Sequence, residues 1–347
     1  MAESTTPAKG GNTPKPATGG QSAKDKSKAA SRSVSGGTAK GGNTPRPGKS
    51  GQAAAAAPGR SRGMLIAWAA VALVVVIIVV VVVVAVTGNS NSNSTATPVS
   101  TTPAGVLRDV ANVPASVFNT VGVTSTIPVS KPIVSAGNPP MTLQGHSPAV
   151  LYYGAEYCPY CAAERWPMTI ALARFGTWSN LQVTGSSKID YAPDTKTFSY
   201  HGASLESPHI FFKGVEQYTN VPLANGKGYG DLDTPTKEEG KILSTYTSSK
   251  FLPNASTSGG ISFPFVDINN SMLISGASYD PNILAGLTWA EIAGNLTDPT
   301  NQVTQAIIAT ANYMTAGICQ ATKGQPGDVC TSSGVQAAAK ALGITAG

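Results

Sequence analysis

The chain has little charge, few aromatic residues and few cysteines. Only 12% of its 347 residues are charged and 7% are aromatic, whereas about a quarter of an average soluble domain is charged. This composition excludes a single ordinary cytosolic globule. Four cysteines are too few for a small, disulfide-dense secreted domain. The three histidines, His146, His201 and His209, lack metal-ligand spacing, and the chain contains no phosphate loop, dinucleotide fingerprint or serine-nucleophile elbow.

Positive charge is concentrated at the N-terminus. Residues 1–63 contain 11 Lys and Arg but only two acidic residues, Glu3 and Asp25, and so carry a net charge of +9. The remaining residues carry −3, so the overall +6 does not describe a basic nucleic-acid-binding domain, and we expect no nucleic acid as a partner. Residues 1–63 also lack Leu, Ile, Phe, Trp and Tyr. With nothing to bury, they are expected to form a disordered basic arm.

An uncharged, valine-dominated run of 23 residues follows, from Met64 to Val86. At about 1.5 Å per residue, a helix of this length spans the hydrocarbon core of a bilayer. Its position behind a long arm favours a retained anchor over a cleaved signal peptide. Arg60 and Arg62 precede the run, and the next charge is Arg108. The positive-inside rule then predicts a single-pass cell-membrane protein with a cytoplasmic N-terminus and an extracytoplasmic C-terminal domain.

Residues 87–120 begin with a stretch rich in Asn, Ser, Thr and Pro, which favours a stalk. Residues 121–347 then form the folded extracytoplasmic domain, which holds all four cysteines. The predicted organisation is therefore arm (1–63), transmembrane helix (64–86), stalk (87–120) and domain (121–347). The predicted transmembrane helix would contact membrane lipid.

A cysteine pair lies at a predicted strand-to-helix junction. The apolar run Ala149–Tyr153 predicts a buried strand, and Cys158-Pro159-Tyr160-Cys161 follows it directly. Pro159 suits the first turn of a helix, whose buried face would carry Met168, Leu172 and Phe175. A cysteine at a helix N-terminus meets unpaired N–H groups and the positive end of the dipole, which lower its pKa. The arrangement therefore favours Cys158 as a nucleophile and Cys161 as the resolving thiol.

These residues resemble the thioredoxin superfamily, because the Cys-Pro-Tyr-Cys sequence is the form seen in glutaredoxins and DsbA-like proteins carry a related motif. A second matching segment, Ser262-Phe263-Pro264-Phe265, looks like the loop that carries the cis-proline of the superfamily. The resemblance implies that Pro264 packs against the cysteine pair and shapes the substrate edge. Together, residues 154–166 and 262–268 look most like an uncharacterised membrane-anchored family, domain of unknown function family 929.

The resemblance implies an α/β, thioredoxin-like domain with an insertion, because Pro264 follows Cys161 by 103 positions. Within this stretch we predict a strand over 209–218 and a helix over 236–246, with Thr236 and Glu239 at capping-box spacing. After Pro264 the asparagines at 269 and 270 predict a hairpin turn. Two residues depart from the plain thioredoxin pattern: Tyr157 stands where Trp is frequent, and Phe263 stands where smaller residues are common.

The remaining residues of interest allow more than one interpretation. Glu156, like Glu164, flanks the cysteine pair and either accepts a proton or is a solvated or salt-bridged carboxylate. Cys319 and Cys330 enclose ten residues, a loop that a structural disulfide would close; a shuttle exchanging with Cys158–Cys161 is the alternative. A zinc site of all four cysteines fits their spacing poorly, so we expect no metal and no organic cofactor, only a redox-active disulfide.

The sequence supports two functional hypotheses. The first is a membrane-anchored, extracytoplasmic thiol–disulfide oxidoreductase that acts on exported proteins and is recycled by a membrane redox partner. In it Cys158 attacks, Cys161 resolves and Pro264 shapes the groove, supported by Pro159, Tyr160, Glu156, Tyr157 and Phe263. The second is a non-enzymatic cell-envelope binding or assembly module in which both cysteine pairs are permanent disulfides.

Overall fold

The computed structural model describes residues 96–252 and 261–347. The predicted arm (1–63), the predicted transmembrane helix (64–86) and the first residues of the predicted stalk lie outside these ranges. Among the described residues, no helix has the length and apolar character that a membrane span needs. The fold is mixed α/β.

A five-stranded sheet forms the centre of the domain. Its order is β2 (Ile133–Val134), β12 (Met272–Ser275), β11 (Phe265–Ile268), β3 (Ala149–Gly154) and β8 (Phe211–Glu216). Strands β3 and β8 are parallel, whereas β11 is antiparallel to both β3 and β12. The β11–β12 connection is the hairpin predicted at residues 269–270, where both asparagines have positive φ. That prediction is confirmed.

All six residues of β3 are buried because helices cover both faces of the sheet. Val150 and Tyr152 point into the larger core, together with α3 (Pro159–Ala173) and α6 (Gln302–Ala321). Leu151 and Tyr153 point into a second core beneath α4 (Lys237–Tyr246). The predicted strand is confirmed. Met168 and Leu172 are buried on α3 as predicted, whereas Phe175 is buried but lies just after the helix ends.

The stretch between the cysteine pair and β11 combines strands with one helix. Residues 177–206 form four short strands: β4 (Thr177–Ser179) pairs with β7 (Ser204–Glu206), and β5 (Gln182–Gly185) pairs with β6 (Lys196–Ser199). The predicted strand over 209–218 is β8, which ends at Glu216. Next comes the antiparallel pair of β9 (Tyr218–Pro222) and β10 (Tyr229–Asp231). Helix α4 begins after Thr236, and the predicted capping box with Glu239 is formed.

The described part of the predicted stalk belongs to the folded domain. Strand β1 (Ser100–Thr101) pairs with β5, and residues 104–121 form α1 (Ala104–Ala111) and α2 (Ala115–Val121). Both helices bury apolar residues in the larger core: Val106, Val110, Val117, Phe118 and Val121. The boundary at residue 121 is corrected on this evidence. The apolar spacing within each short helix places these side chains on one face, which packs rather than remaining solvated.

The C-terminal region completes the helical layer. A 3₁₀ turn (Pro281–Leu284) and α5 (Trp289–Asn295) lead into α6, and α7 (Gly327–Cys330) and α8 (Ser333–Leu342) follow. Cys319, near the end of α6, is disulfide-bonded to Cys330. Both residues are buried in the larger core.

Candidate functional site around Cys158 and Cys161

Cys158 is the N-cap residue of α3, as predicted. The chain leaves β3 at Gly154, and Pro159 occupies the first turn of the helix, where its missing N–H costs nothing. Two backbone hydrogen bonds hold the connecting loop: Glu156 N–H donates to Tyr218 O at 2.9 Å, and Ser187 N–H donates to Tyr157 O at 2.8 Å. These contacts hold the loop that presents the cysteine pair.

Neither cysteine of the pair is disulfide-bonded, and the pKa values of the two thiols are shifted in opposite directions. Cys158 Sγ accepts the Cys161 backbone N–H at 3.3 Å. Interaction with the Cys161 side chain, together with this backbone donor and the Arg165 charge, lowers the pKa of Cys158 despite its burial. Cys161 is fully buried, and that burial raises its pKa well above the usual value. The pair thus combines a thiol whose pKa is lowered with one whose pKa is raised.

Phe263 and Pro264 lie at the same end of the sheet as the cysteine pair. The peptide bond between them is cis. Strand β11 begins with Phe265 opposite Tyr153 of β3, so Pro264 stands level with the end of β3. The Phe263 ring packs against the cluster of Ala155, Cys158 and Cys161.

Two tyrosines next to the cysteines in the chain, Tyr157 and Tyr160, each line a cleft. The Tyr157 ring stacks on Tyr229 with centroids 4.1 Å apart, beside a cleft of about 440 Å³ that Tyr218 and Leu223 also line. The Tyr160 ring stacks on Tyr191 with centroids 5.8 Å apart. This pair lines a second cleft, of about 320 Å³, which the residues from Ala277 to Asp280 complete.

Glu156 and Glu164 are both buried, which excludes the solvated carboxylate that was one of the two interpretations of these residues. Glu156 accepts a hydrogen bond from Ser199 Oγ at 2.6 Å, and burial raises its pKa. Glu164 accepts from Ser278 N at 2.7 Å and Ser278 Oγ at 2.9 Å, and burial raises its pKa to about 7. Neither forms an ion pair with any described residue.

A buried ion pair beneath the cysteines was missed by the sequence analysis. Arg165 Nε and Nη2 donate to the two carboxylate oxygens of Glu216 at 2.8 and 2.6 Å, and both side chains are fully buried. Arg165 Nη2 also donates to Ala155 O at 2.8 Å. One sequence signal was available: Glu216 ends a strand whose apolar residues are otherwise interrupted only by Lys213. Its partner on α3 could not be inferred, because the two residues are 51 positions apart in the chain.

The other candidate residues are the second cysteine pair and the histidines. The predicted Cys319–Cys330 disulfide is formed, and both cysteines are buried, as expected of a structural bridge. Within the described ranges, no group of three or more His, Cys, Asp or Glu residues could hold a metal ion. His201 Nδ1 instead lies 2.8 Å from Asp233 Oδ1, and the His146 ring stacks on Phe211.

Comparison with known proteins gives one match. No curated protein and no solved structure matches the chain. The family model described as Domain of unknown function (DUF929) matches residues 133–320, more than half of the chain. The matched region contains Cys158, Cys161, Pro264 and the buried Arg165–Glu216 pair. The chain belongs to the DUF929 family.

Proposed function

We propose that this protein is a membrane-anchored, extracytoplasmic thiol–disulfide oxidoreductase that acts on exported proteins. The observation that carries the proposal is the position of Cys158. Cys158 is the N-cap residue of α3, and its pKa is lowered. It lies beside a second free thiol, Cys161, whose pKa is raised. A permanently bonded structural pair would gain nothing from such unequal thiols.

The sheet order supports a thioredoxin-like fold for the domain. The order β8–β3–β11–β12, with β3 and β8 parallel and β11 antiparallel, agrees with the succession of strand, CxxC helix, cis-proline and hairpin that the resemblance implies. Pro264 directly before β11, and helix α6 after the hairpin, agree with the same succession. The strands of residues 177–206 and the β9–β10 pair would then be the insertion.

In the proposed reaction, the Cys158 thiolate attacks a disulfide of the substrate. One substrate sulfur leaves as a thiolate, and a mixed disulfide joins Cys158 to the other. Cys161 then attacks Cys158 Sγ, forms the Cys158–Cys161 disulfide and releases the second substrate sulfur. The substrate gains two electrons and the protein loses them; the reverse sequence oxidises a substrate dithiol. No organic cofactor is required, and a membrane partner, such as a quinone-linked oxidase or a thiol-electron donor, would recycle the pair.

One observation favours the second function, a non-enzymatic envelope module. Cys158 is only 6% exposed and Cys161 is fully buried, whereas a reactive thiol is expected to be partly accessible. In that function the tyrosine-lined clefts would bind a partner, and the cysteine pair would take no part.

Redox titration distinguishes the two functions. The full-length protein in detergent is equilibrated in redox buffers, its free thiols are trapped by alkylation, and each cysteine is followed by peptide mass spectrometry. We expect Cys158–Cys161 to titrate between about −120 and −270 mV while Cys319–Cys330 resists reduction. C158A and C161A serve as controls for peptide assignment. A Cys158–Cys161 pair that stays oxidised below about −300 mV would refute the oxidoreductase and favour the module.

A further inference from the structure

A buried hydroxyl beneath the cysteine pair has no conventional partner. Tyr152 lies on β3 and is fully buried. Its Oη forms no hydrogen bond of normal geometry with any residue in the described ranges. A hydroxyl buried in this way costs free energy that phenylalanine, of nearly the same shape, would not. Such an atom calls for an explanation other than packing.

The group beside this hydroxyl is the Cys161 thiol. A methyl group added at Gly154 would collide with Tyr152 Oη and would come within 3.0 Å of Cys161 Sγ, so the two atoms border the same point. The titration of the two groups is linked: burial is the main cause that raises the pKa of Tyr152, and Cys161 raises it further. Tyr152 is therefore in position to donate to this sulfur.

Arg165 places a positive charge next to the same two groups. Its guanidinium lies over the Tyr152 ring, 5.6 Å from the centroid. Glu216 holds two of its nitrogens, while Nη1 has no hydrogen-bond partner among the described residues. The Arg165 charge favours the charged form of both Cys161 and Tyr152. Burial, Cys158 and Glu216 disfavour negative charge on the Cys161 sulfur, so this thiol is protonated at rest; Arg165 favours the charge but does not outweigh them. A hydrogen-bond donor to the sulfur would add to the effect of Arg165.

We propose that the Tyr152 hydroxyl donates a hydrogen bond to Cys161 Sγ as this sulfur becomes a thiolate and attacks the mixed disulfide on Cys158. The inference rests on the proposed function, because only an exchange reaction deprotonates Cys161. In this step the S–S bond between Cys158 and the substrate breaks and the Cys158–Cys161 bond forms. The substrate sulfur leaves with the bonding electron pair and takes up the proton that Cys161 loses. Tyr152 keeps its own proton throughout and stabilises the charge on Cys161.

The attack by Cys158 on a disulfide and the later attack by Cys161 on the mixed disulfide can be timed separately. The reagent is one equivalent of the aromatic disulfide 5,5′-dithiobis(2-nitrobenzoate). Attack by Cys158 releases the first thionitrobenzoate, and attack by Cys161 releases the second. We expect Y152F in the reduced full-length protein to slow the second release at least tenfold, with its pH midpoint moved upward, and to leave the first release within twofold. Y153F is the matched control, since Tyr153 is the next residue of β3, faces the other core and donates to Gln217 at 2.5 Å. It should leave both releases unchanged.

The outcomes separate this inference from the proposed function. A wild-type protein that gives no second release would refute the oxidoreductase, and this inference with it. If the wild-type protein gives both releases but Y152F leaves the second release unchanged, or slows both releases equally, Tyr152 is a packing residue and the inference is refuted. If Y152F does not fold, 3,5-difluorotyrosine at position 152 supplies a stronger donor of the same shape. It should speed the second release and lower its pH midpoint, and no change in either would overturn the proposal.

Discussion

Replacing Glu164 by glutamine should stabilise the protein at pH 8 and remove part of the pH dependence of its free energy of unfolding. Glu164 is fully buried on α3, one turn after Cys161, and its two acceptor contacts are both with Ser278. Burial outweighs these hydrogen bonds and raises the carboxyl pKa from 4.5 to about 7. Glutamine fits the same contacts, because the Ser278 hydroxyl can accept from the new amide while its backbone N–H still donates to the remaining oxygen.

The sign and the size of the effect follow from proton linkage. A carboxyl whose pKa is raised on folding holds its proton more tightly in the folded state. Its contribution to stability is therefore full below the unfolded pKa and is lost as the pH rises through 4.5 to 7. A shift of this size corresponds to about 3 kcal/mol, of which roughly 2.5 kcal/mol is lost between pH 5 and pH 8.

Urea unfolding at several pH values between 5 and 8 measures this difference. The wild-type free energy of unfolding should fall across the range, and the fall in E164Q should be smaller by about 2.5 kcal/mol. D267N is the matched control, because Asp267 is a second buried carboxyl whose pKa burial raises to about 7, and it lies on β11 away from Ser278. Its effect should add to that of E164Q. If E164Q followed the wild-type pH profile, Glu164 would ionise normally and the burial argument would be wrong.

Three further predictions use the same denaturation assay. R165M leaves Glu216 buried without its partner and should lower the free energy of unfolding by about 3–5 kcal/mol. The double variant R165M/E216L should recover most of this loss. A small effect of R165M alone would contradict the buried ion pair. C319S/C330S should cost about 3 kcal/mol without moving the potential of the other cysteine pair, and a moved potential would support the shuttle. G154A forces a methyl group into the neighbouring tyrosine and toward the Cys161 sulfur, and should cost about 1–3 kcal/mol and slow thiol exchange; unaltered stability and exchange would contradict this packing.

Local features could be predicted from the sequence because each depends on residues a few positions apart. The Cys158 N-cap with Pro159 behind it is a property of one helical turn. The capping box joins Thr236 and Glu239, which are three positions apart, and the hairpin loop has only the three residues 269–271. The Cys319–Cys330 disulfide closes a short loop that the spacing already indicated.

The stalk predicted over residues 87–120 extends too far, because its residues from 104 onward belong to the folded domain. Residues 104–121 are short helices between prolines, and their few apolar side chains stand out weakly among small residues. Their packing against α5, α6 and α8 supplies the burial that their own composition does not. Most of the stability of a short helix comes from such tertiary packing.

Only the tertiary structure decided what surrounds the Cys161 thiol. Tyr152 comes from β3, Arg165 from α3 and Glu216 from β8, and no spacing along the chain relates the three. They meet because β3 and β8 pair in parallel and α3 packs across them, which buries all three side chains. Which charges are desolvated, and which partner neutralises each, depends on that packing. The sequence by itself thus determined where the cysteine pair lies and that Cys158 stands at the start of a helix, whereas the folded arrangement determined the electrostatic environment of Cys161.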